Sequence, residues 1–298
     1  MNLLFSFSFY EEMAREILKS PFFSRGDFDC SRFSNQELHL MLKTPVLGQT
    51  CIILGSISPP EINLFSSMIL AHTLKKEGAK KCVALIPYLA YTRHEHEEAA
   101  KSQVTALVGK LLLSSGVDQI ITIDIHSKAA AELFPLPIHS LFPAKIFSDE
   151  LKRISFIPDA IISPDEGALE RSKEVAKVLD SLIPVLAMYK KRENNGLVHL
   201  DFMGPIGKKV LIIDDILDTG ETLISAVRVL KALGAQEIVV MVSHGLFTGD
   251  FWKQLFELNV QRIYCTNTTC PPREKTEKYP IYFLSVTSIL QEFLCSHQ

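Results

Sequence analysis

Asp214 and Asp215 follow an unbroken apolar run, Val210 to Ile213, and precede Asp218-Thr219-Gly220-Glu221-Thr222. Such a run is expected of a strand buried on both faces of a parallel sheet. Leu223, Val227, Leu230 and Leu233 then recur at helical spacing. A strand, a short glycine-bearing turn and a helix start together make a place to hold an anion. The first N–H groups of a helix have no partner inside it, and its dipole puts partial positive charge there. Gly220 lets the backbone approach a ligand closely, and the hydroxyls of Thr219 and Thr222 add donors. The plainer reading is an ordinary helix capped by Asp218, with Glu221 completing a capping box. The two acids weigh against it, because carboxylates ending a buried strand are costly unless they meet hydroxyls, a cation or solvent. Beside an anion cradle they suit a ligand with both a phosphate and vicinal hydroxyls, a sugar phosphate. No Gly-x-x-x-x-Gly-Lys-Ser/Thr occurs, so this is not a nucleotide P-loop.

Other strand ends also carry acids. Ile123-Asp124-Ile125-His126 closes an apolar run, and strand alternation puts Asp124 and His126 on one face, able to share a cation. Ser163-Pro164-Asp165-Glu166-Gly167 closes another. A magnesium ion needs only one or two protein ligands when phosphate oxygens supply the rest. His126 and Asp165, one from each half of the chain, would fit a cleft holding a metal-bound nucleotide. Tyr189-Lys190-Lys191-Arg192-Glu193-Asn194-Asn195-Gly196 reads by composition as a solvated turn. Its functional reading is a mobile loop over phosphates, with Lys190 and Arg192 projecting together where phosphoryl transfer needs positive charge. Phe33, Asn35 and Glu37 alternate, so an extended stretch would present an aromatic plane, an amide and a carboxylate together, a set that suits adenine. Phe33 alone is equally a core residue. His94-Glu95-His96 is not His-Glu-x-x-His and reads as a surface loop.

The elements that must position these residues alternate regularly. Strands are expected at 5–9, 38–42, 50–57, 82–89 and 120–125, with helices over 10–20, from Pro60 to about Lys76, and over 104–114. Further on, helices are expected at 144–155, 168–180, 220–233, 250–258 and 287–295. Between them lie strands at 160–163, 184–190, 197–203, 210–215, 237–243 and 262–267. The fold class is α/β, with two similar domains, 1–143 and 144–298, each a mainly parallel sheet flanked by helices. In such sheets ligands bind at the carboxyl ends of the strands, where the acids above fall. A formal net charge of -3 argues against a nucleic-acid partner. The six cysteines form no Cys-x-x-Cys pair and read as buried thiols of a reducing compartment. The apolar start carries no basic segment and meets Glu11 and Glu12 at once, and no apolar run approaches membrane-spanning length. A cytoplasmic protein with no membrane partner is expected.

Taken in order, seven stretches resemble the ribose-phosphate pyrophosphokinase family, the PRPP synthetases, over nearly the whole chain. They are Phe33-Ser34-Asn35-Gln36-Glu37, Pro87-Tyr88 with Tyr91-Thr92-Arg93, Asp124-Ile125-His126, Ser163-Pro164-Asp165, Lys190-Lys191-Arg192, residues 209–223, and Ser243-His244-Gly245-Leu246-Phe247. The 209–223 stretch also resembles the ribose-phosphate motif of the phosphoribosyltransferases. The resemblance implies two phosphoribosyltransferase-like (PRTase-like) domains. It implies transfer of diphosphate from Mg-ATP to the anomeric hydroxyl of ribose 5-phosphate, giving phosphoribosyl pyrophosphate (PRPP) and AMP. It implies ATP binding by Phe33, Asn35, Gln36, Glu37, Arg93 and His94, with Phe33 on the adenine. It implies Mg2+ at His126, Asp165 and Asp124, a catalytic Lys190, and Arg192 as its transition-state partner. Ribose 5-phosphate would be held by Asp214, Asp215, Asp218, Thr219, Gly220, Glu221 and Thr222. A homo-oligomer is implied as well, a hexamer or a dimer-based assembly, with ATP bound across subunits. The chain departs from the family pattern at His94-Glu95-His96 and Glu97-Glu98-Ala99-Ala100, at Ser127-Lys128-Ala129-Ala130-Ala131-Glu132, at Ala168, and at Glu221. Two other readings stay open. One is a phosphoribosyltransferase, which needs a single such domain; the other is a homologue that binds sugar phosphate or nucleotide without turnover.

Overall fold

Apolar runs without alternation become the inner strands of two parallel sheets, as burial on both faces requires. The computed structural model describes residues 2–93, 102–180, 182–192, 198–201, 204–269 and 271–296. Two units divide the chain: Met1–Leu141 with Thr287–Gln298, and Phe142–Val286.

The first unit holds strands β1 (Asn2–Ser6), β2 (Phe23–Arg25), β3 (Phe28–Arg32), β4 (Leu38–Leu42), β5 (Thr50–Leu54), β6 (Lys81–Leu85), β7 (Gln119–Ile123) and β8 (Ile138–Leu141). Six of them form one parallel sheet in the order β2-β1-β5-β6-β7-β8. The other two, β3 and β4, pair antiparallel as a separate hairpin. The second unit holds β9 (Ala160–Ser163), β10 (Val185–Ala187), β11 (Tyr189–Arg192), β12 (Val198–Asp201), β13 (Lys209–Leu217), β14 (Glu237–Gly245), β15 (Val260–Thr266) and β16 (Ile281–Leu284). Its parallel sheet runs β10-β9-β13-β14-β15-β16, and β11 pairs with β12 as a hairpin. Counted along each unit, the strand order is the same in both, and the hairpin leaves the chain at the same point. The expected duplication is therefore present strand by strand.

Alternate residues of β13 divide between two cores. Val210 and Ile212 pack with Leu223, Val227 and Leu230 of the helix Glu221–Ala232 and with Trp252. Leu211 and Ile213 pack with Phe147 and Leu151 of the helix Ala144–Arg153 and with Val175 of the helix Leu169–Leu179. A sheet so covered presents only its strand ends to a ligand.

Several expectations change. The Phe5, Phe7 and Phe9 alternation does not make a half-exposed strand. Leu3, Leu4 and Phe5 are all buried in β1, which lies between two parallel neighbours, and Phe9 falls in a single 3-10 turn. The 38–42 segment belongs to a hairpin outside the main sheet, and residues 184–190 split between β10 and β11. The helix Thr287–Ser296 closes the first unit, not the second. Its Gln291 amide donates to the carbonyls of Glu16 and Ile17 at 2.7 and 3.3 Å, a second donor for acceptors that Lys19 and Ser20 N–H already reach at the end of the helix Glu11–Ile17. Its Phe293 ring meets His139 at 5.1 Å, and Leu290 and Leu294 are buried. The division at 143 had no sequence signal for this return. No helix among the described residues is long and apolar enough to cross a membrane.

If Thr287–Ser296 completes the first unit, Leu290→Ala removes ~2–5 kcal/mol of its stability. Hydrogen exchange should rise across residues 2–141 and stay unchanged across β9 to β16; the reverse pattern would return the helix to the second unit.

Candidate active site

β13 runs on through Ile216 to Leu217, so Asp214 and Asp215 lie within the strand and do not terminate it. Both are buried, and Asp214 stands opposite Val242 of β14. Beyond Leu217 the chain turns on Gly220, which has φ +90 and serves as the N-cap of the helix Glu221–Ala232. No side chain caps that helix, so the Asp218–Glu221 capping box does not form. The Gly220 carbonyl accepts from Ile224 N–H at 2.8 Å. Among the described residues, no hydrogen bond takes up the N–H groups of residues 219–223. This leaves an open row of donors at a helix start. Thr219 and Asp218 are half-buried, while Glu221 and Thr222 are exposed.

The turn is pinned from β14. Leu246 and Phe247 N–H donate to the Leu217 carbonyl at 2.8 and 3.2 Å, and Thr248 N–H to the Asp218 carbonyl at 3.1 Å. Trp252, fully buried, meets the Phe247 ring edge-on at 5.1 Å and donates its indole N–H to the Gly249 carbonyl at 3.0 Å. A Cβ on Gly220 would stand 2.9 Å from the Trp252 Cα. Only glycine meets both demands, the left-handed backbone and the missing side chain.

The acids crowd together. Burial first, then the charges of Asp215 and Asp165, hold the Asp214 carboxyl well above the usual carboxylate range. Its Oδ1 accepts from the Asp215 N–H at 2.9 Å. Arg171 Nη2 lies 3.7 Å from Asp215 Oδ2, with the two side chains 11% and 9% exposed. Arg171 Nη1 donates to the Gly167 carbonyl at 2.9 Å. Asp165, exposed in the turn after β9, accepts at Oδ1 from Ala168 N–H at 3.0 Å.

In the first unit, residues 33–37 are the tip of the β3–β4 hairpin, not an extended stretch. Phe33 N–H donates to the Glu37 carbonyl and Gln36 N–H to the Phe33 carbonyl, each at 2.9 Å, with Gln36 at φ +73. Phe33, Asn35 and Glu37 therefore do not share a strand face. Asn35 Oδ1 instead accepts from Glu37 N–H at 3.2 Å, bracing the turn. Phe33 is 50% exposed with its ring against His39 at 4.9 Å, so it is not core. Arg93 is exposed after a bend held by Thr105 Oγ1 donating to the Tyr91 carbonyl at 2.6 Å. His94 lies outside the described residues.

β7 ends at Ile123, and Asp124 turns away at φ +41, buried, with its N–H on the Leu141 carbonyl at 2.8 Å. Alternation therefore does not carry from Asp124 to the half-buried His126. Among the described residues no three His, Cys, Asp or Glu side chains form a ready cation cage. Lys190 and Arg192 stand in β11, opposite Leu200 and Val198 of β12, where composition pointed to a turn. Cross-strand pairing outweighed the polar composition.

Arg171 and Trp252 escaped the sequence reading, and Phe247 entered it only within a stretch shared with the family, with no role attached. Arg171 lies on an amphipathic helix, where a basic residue near the start reads as solvated; the aromatic pair reads only as core. Gly220→Ala is expected to lower stability by ~1–2 kcal/mol or more in urea unfolding, through left-handed strain and the Trp252 clash. Exposed Thr222→Ala should stay within about 0.5 kcal/mol. Equal midpoints for the two variants would mean that the turn is not pinned.

The family model for the N-terminal domain of ribose phosphate pyrophosphokinase matches residues 2–116, and that for the phosphoribosyl transferase domain matches residues 143–250. Ribose-phosphate pyrophosphokinase of Campylobacter jejuni is 29% identical over 294 residues, covering 98% of this chain and 94% of its own. Ribose-phosphate pyrophosphokinase A of Dictyostelium discoideum is 28% identical, covering 95% and 90%. The crystal structure of phosphoribosylpyrophosphate synthetase from Mycobacterium smegmatis shares the fold, with a TM-score of 0.88 at 24% identity, over 99% of this chain and 98% of that one. The two matched models together span most of the chain in the order of its two units, and the chain belongs to the ribose-phosphate pyrophosphokinase family of enzymes.

Proposed function

We propose that the enzyme transfers the diphosphate of Mg-ATP to the anomeric hydroxyl of ribose 5-phosphate, giving PRPP and AMP. The anomeric oxygen bonds to the β-phosphorus as the bond from that phosphorus to the oxygen of AMP breaks. The observation that carries this reading is the Gly220 turn, with unfilled N–H donors directly beyond two buried carboxylates. A phosphate monoester fits the donors of residues 219–223, where charge-assisted bonds and the helix dipole both favour it. Pentose hydroxyls fit Asp214 and Asp215, because each hydroxyl donates to an oxygen that burial has stripped of water. Asp218, Thr219, Gly220, Glu221 and Thr222 complete the proposed ribose 5-phosphate set. Glu221 is exposed, as an acid beside a phosphate must be.

The mutual repulsion of Asp165 and Asp214 fits a divalent cation beside them, since its charge would offset that repulsion. In the second unit the proposed metal-binding residue is Asp165; in the first, Asp124 and His126 are the proposed metal-binding residues. When bound, Mg2+ would neutralise phosphate oxygens and draw its remaining ligands from them and from water. Lys190 and Arg192 supply cations for the charge that develops on the transferred diphosphate. Exposed Phe33 offers a face for adenine, with Asn35, Gln36, Glu37, Arg93 and His94 as the proposed ATP contacts. A phosphoribosyltransferase would need one unit of this kind; two units of matching strand order favour the diphosphokinase. The proposal includes assembly as a homo-oligomer.

Purified protein with Mg-ATP and ribose 5-phosphate should yield AMP and PRPP in equal amounts. Lys190→Ala should lower kcat by at least ~100-fold with the fold intact, because a charge used in the transition state is lost. Base-dependent consumption of supplied PRPP without AMP would favour the phosphoribosyltransferase instead.

Asp214→Asn gives a test in the ligand-free, chelator-treated protein. The native carboxyl of Asp214 is raised above its unfolded value, so its proton stabilises the fold at low pH, and this is lost as pH rises through the raised value. Asparagine keeps an oxygen for the Asp215 N–H and carries no charge. The variant should therefore melt higher than the parent near pH 8, with the gap closing toward pH 4, while ribose 5-phosphate binding weakens. A parent that melts higher at pH 8 would show that the carboxylate is not strained.

A further inference from the structure

Among the crowded carboxylates of the second unit, Asp215 meets a half-buried arginine. The charges of Asp215 and Asp165 both act on Asp214, and Arg171 reaches Asp215 at 3.7 Å. The same guanidinium donates to the Gly167 carbonyl at 2.9 Å, two residues beyond Asp165. The Asp165 turn is itself closed by the bond from Ala168 N–H to Asp165 Oδ1 at 3.0 Å. One side chain thus ties the turn after β9 to the acidic part of β13. A planar guanidinium holds two acceptors at fixed separation, which an ammonium on a flexible stem does not. Arg171 is itself anchored, as the third residue of the helix Leu169–Leu179, whose Ser172, Val175 and Ala176 are buried. Neither composition nor the family's shared stretches quoted above single this residue out.

We infer that Arg171 is a positioning residue for sugar-phosphate recognition, fixing the Asp165 turn against Asp215 so that the carboxylates meet the pentose and its cation in one arrangement. It acts through Asp215 and the Gly167 carbonyl and does not touch the sugar. This rests on reading the Gly220 turn as the ribose 5-phosphate site.

The test compares Arg171→Gln, Arg171→Lys, Asp215→Asn and the double variant Asp215→Asn/Arg171→Gln. The readouts are KM for ribose 5-phosphate, KM for ATP, kcat, and calorimetric binding of ribose 5-phosphate with Mg2+. Arg171→Gln should raise KM for ribose 5-phosphate by about tenfold or more, with KM for ATP and kcat moving less than about threefold. Arg171→Lys should fall between it and the parent, since it keeps the charge and loses the fork. The double variant should bind no more weakly than the weaker single variant, because both changes break one coupling. A fall in kcat with KM for ribose 5-phosphate unchanged, or effects of Arg171 and Asp215 that multiply independently, overturns the inference. If Arg171→Gln fails to fold by circular dichroism, Arg171→Lys and its combination with Asp215→Asn give the same comparison. A parent that binds ribose 5-phosphate without turning it over refutes the proposed reaction, and calorimetry on the variants still judges Arg171. A parent that binds no ribose 5-phosphate overturns both.

Discussion

Like charges held out of water repel strongly, and the second unit gathers them where its central strand nears its glycine turn. Asp214 and Asp215 occupy positions in β13 that apolar residues would fill at less cost, since replacing buried charges with well-packed apolar side chains is often neutral or stabilising. The surroundings offset that cost in separate ways. Arg171 offers a counter-charge and the Asp215 N–H gives Asp214 a donor, while burial beside like charges holds the Asp214 carboxyl well above the usual carboxylate range. Local conflict of this kind is expected where a fold gives up stability to hold a ligand. The turn beyond is rigid for the same reason: Phe247, Trp252 and the segment 246–248 hold its backbone, so the donors are arranged before any phosphate arrives.

The two units repeat one plan and use it differently. In each, a hairpin leaves the chain between the second and third strands of the parallel sheet. In the first unit its tip bears Phe33 to Glu37; in the second its first strand bears Lys190 and Arg192. A hairpin satisfies its own backbone, so its exposed residues can vary without disturbing the sheet. That freedom lets one architecture carry an aromatic residue in one hairpin and basic residues in the other.

Much of this was legible in the residues. The run Val210 to Ile213 and the helical spacing of Leu223 to Leu230 placed the central strand, the turn and its helix within a few positions. The continuous apolar runs told of parallel sheets because burial on both faces removes alternation. What failed was local inference carried past its range. Alternation linked Asp124 to His126 and Phe33 to Glu37, but left-handed residues at Asp124 and Gln36 break the strand geometry on which alternation depends. Asp218 and Glu221 had the spacing of a capping box, yet Gly220 took the capping position because Trp252 fills the space beside it. Contacts distant in sequence, such as Arg171 with Asp215 or Gln291 with Glu16, leave no periodic trace.

The return of Thr287–Ser296 to the first unit governs the order in which the protein can assemble. During synthesis, residues 142–286 are all made before the last segment of the other unit. The unit that begins with Asn2–Ser6 is therefore complete only after every residue of the other has been made. Until then the carbonyls of Glu16 and Ile17 lack the Gln291 amide, and the half made first is the half completed last.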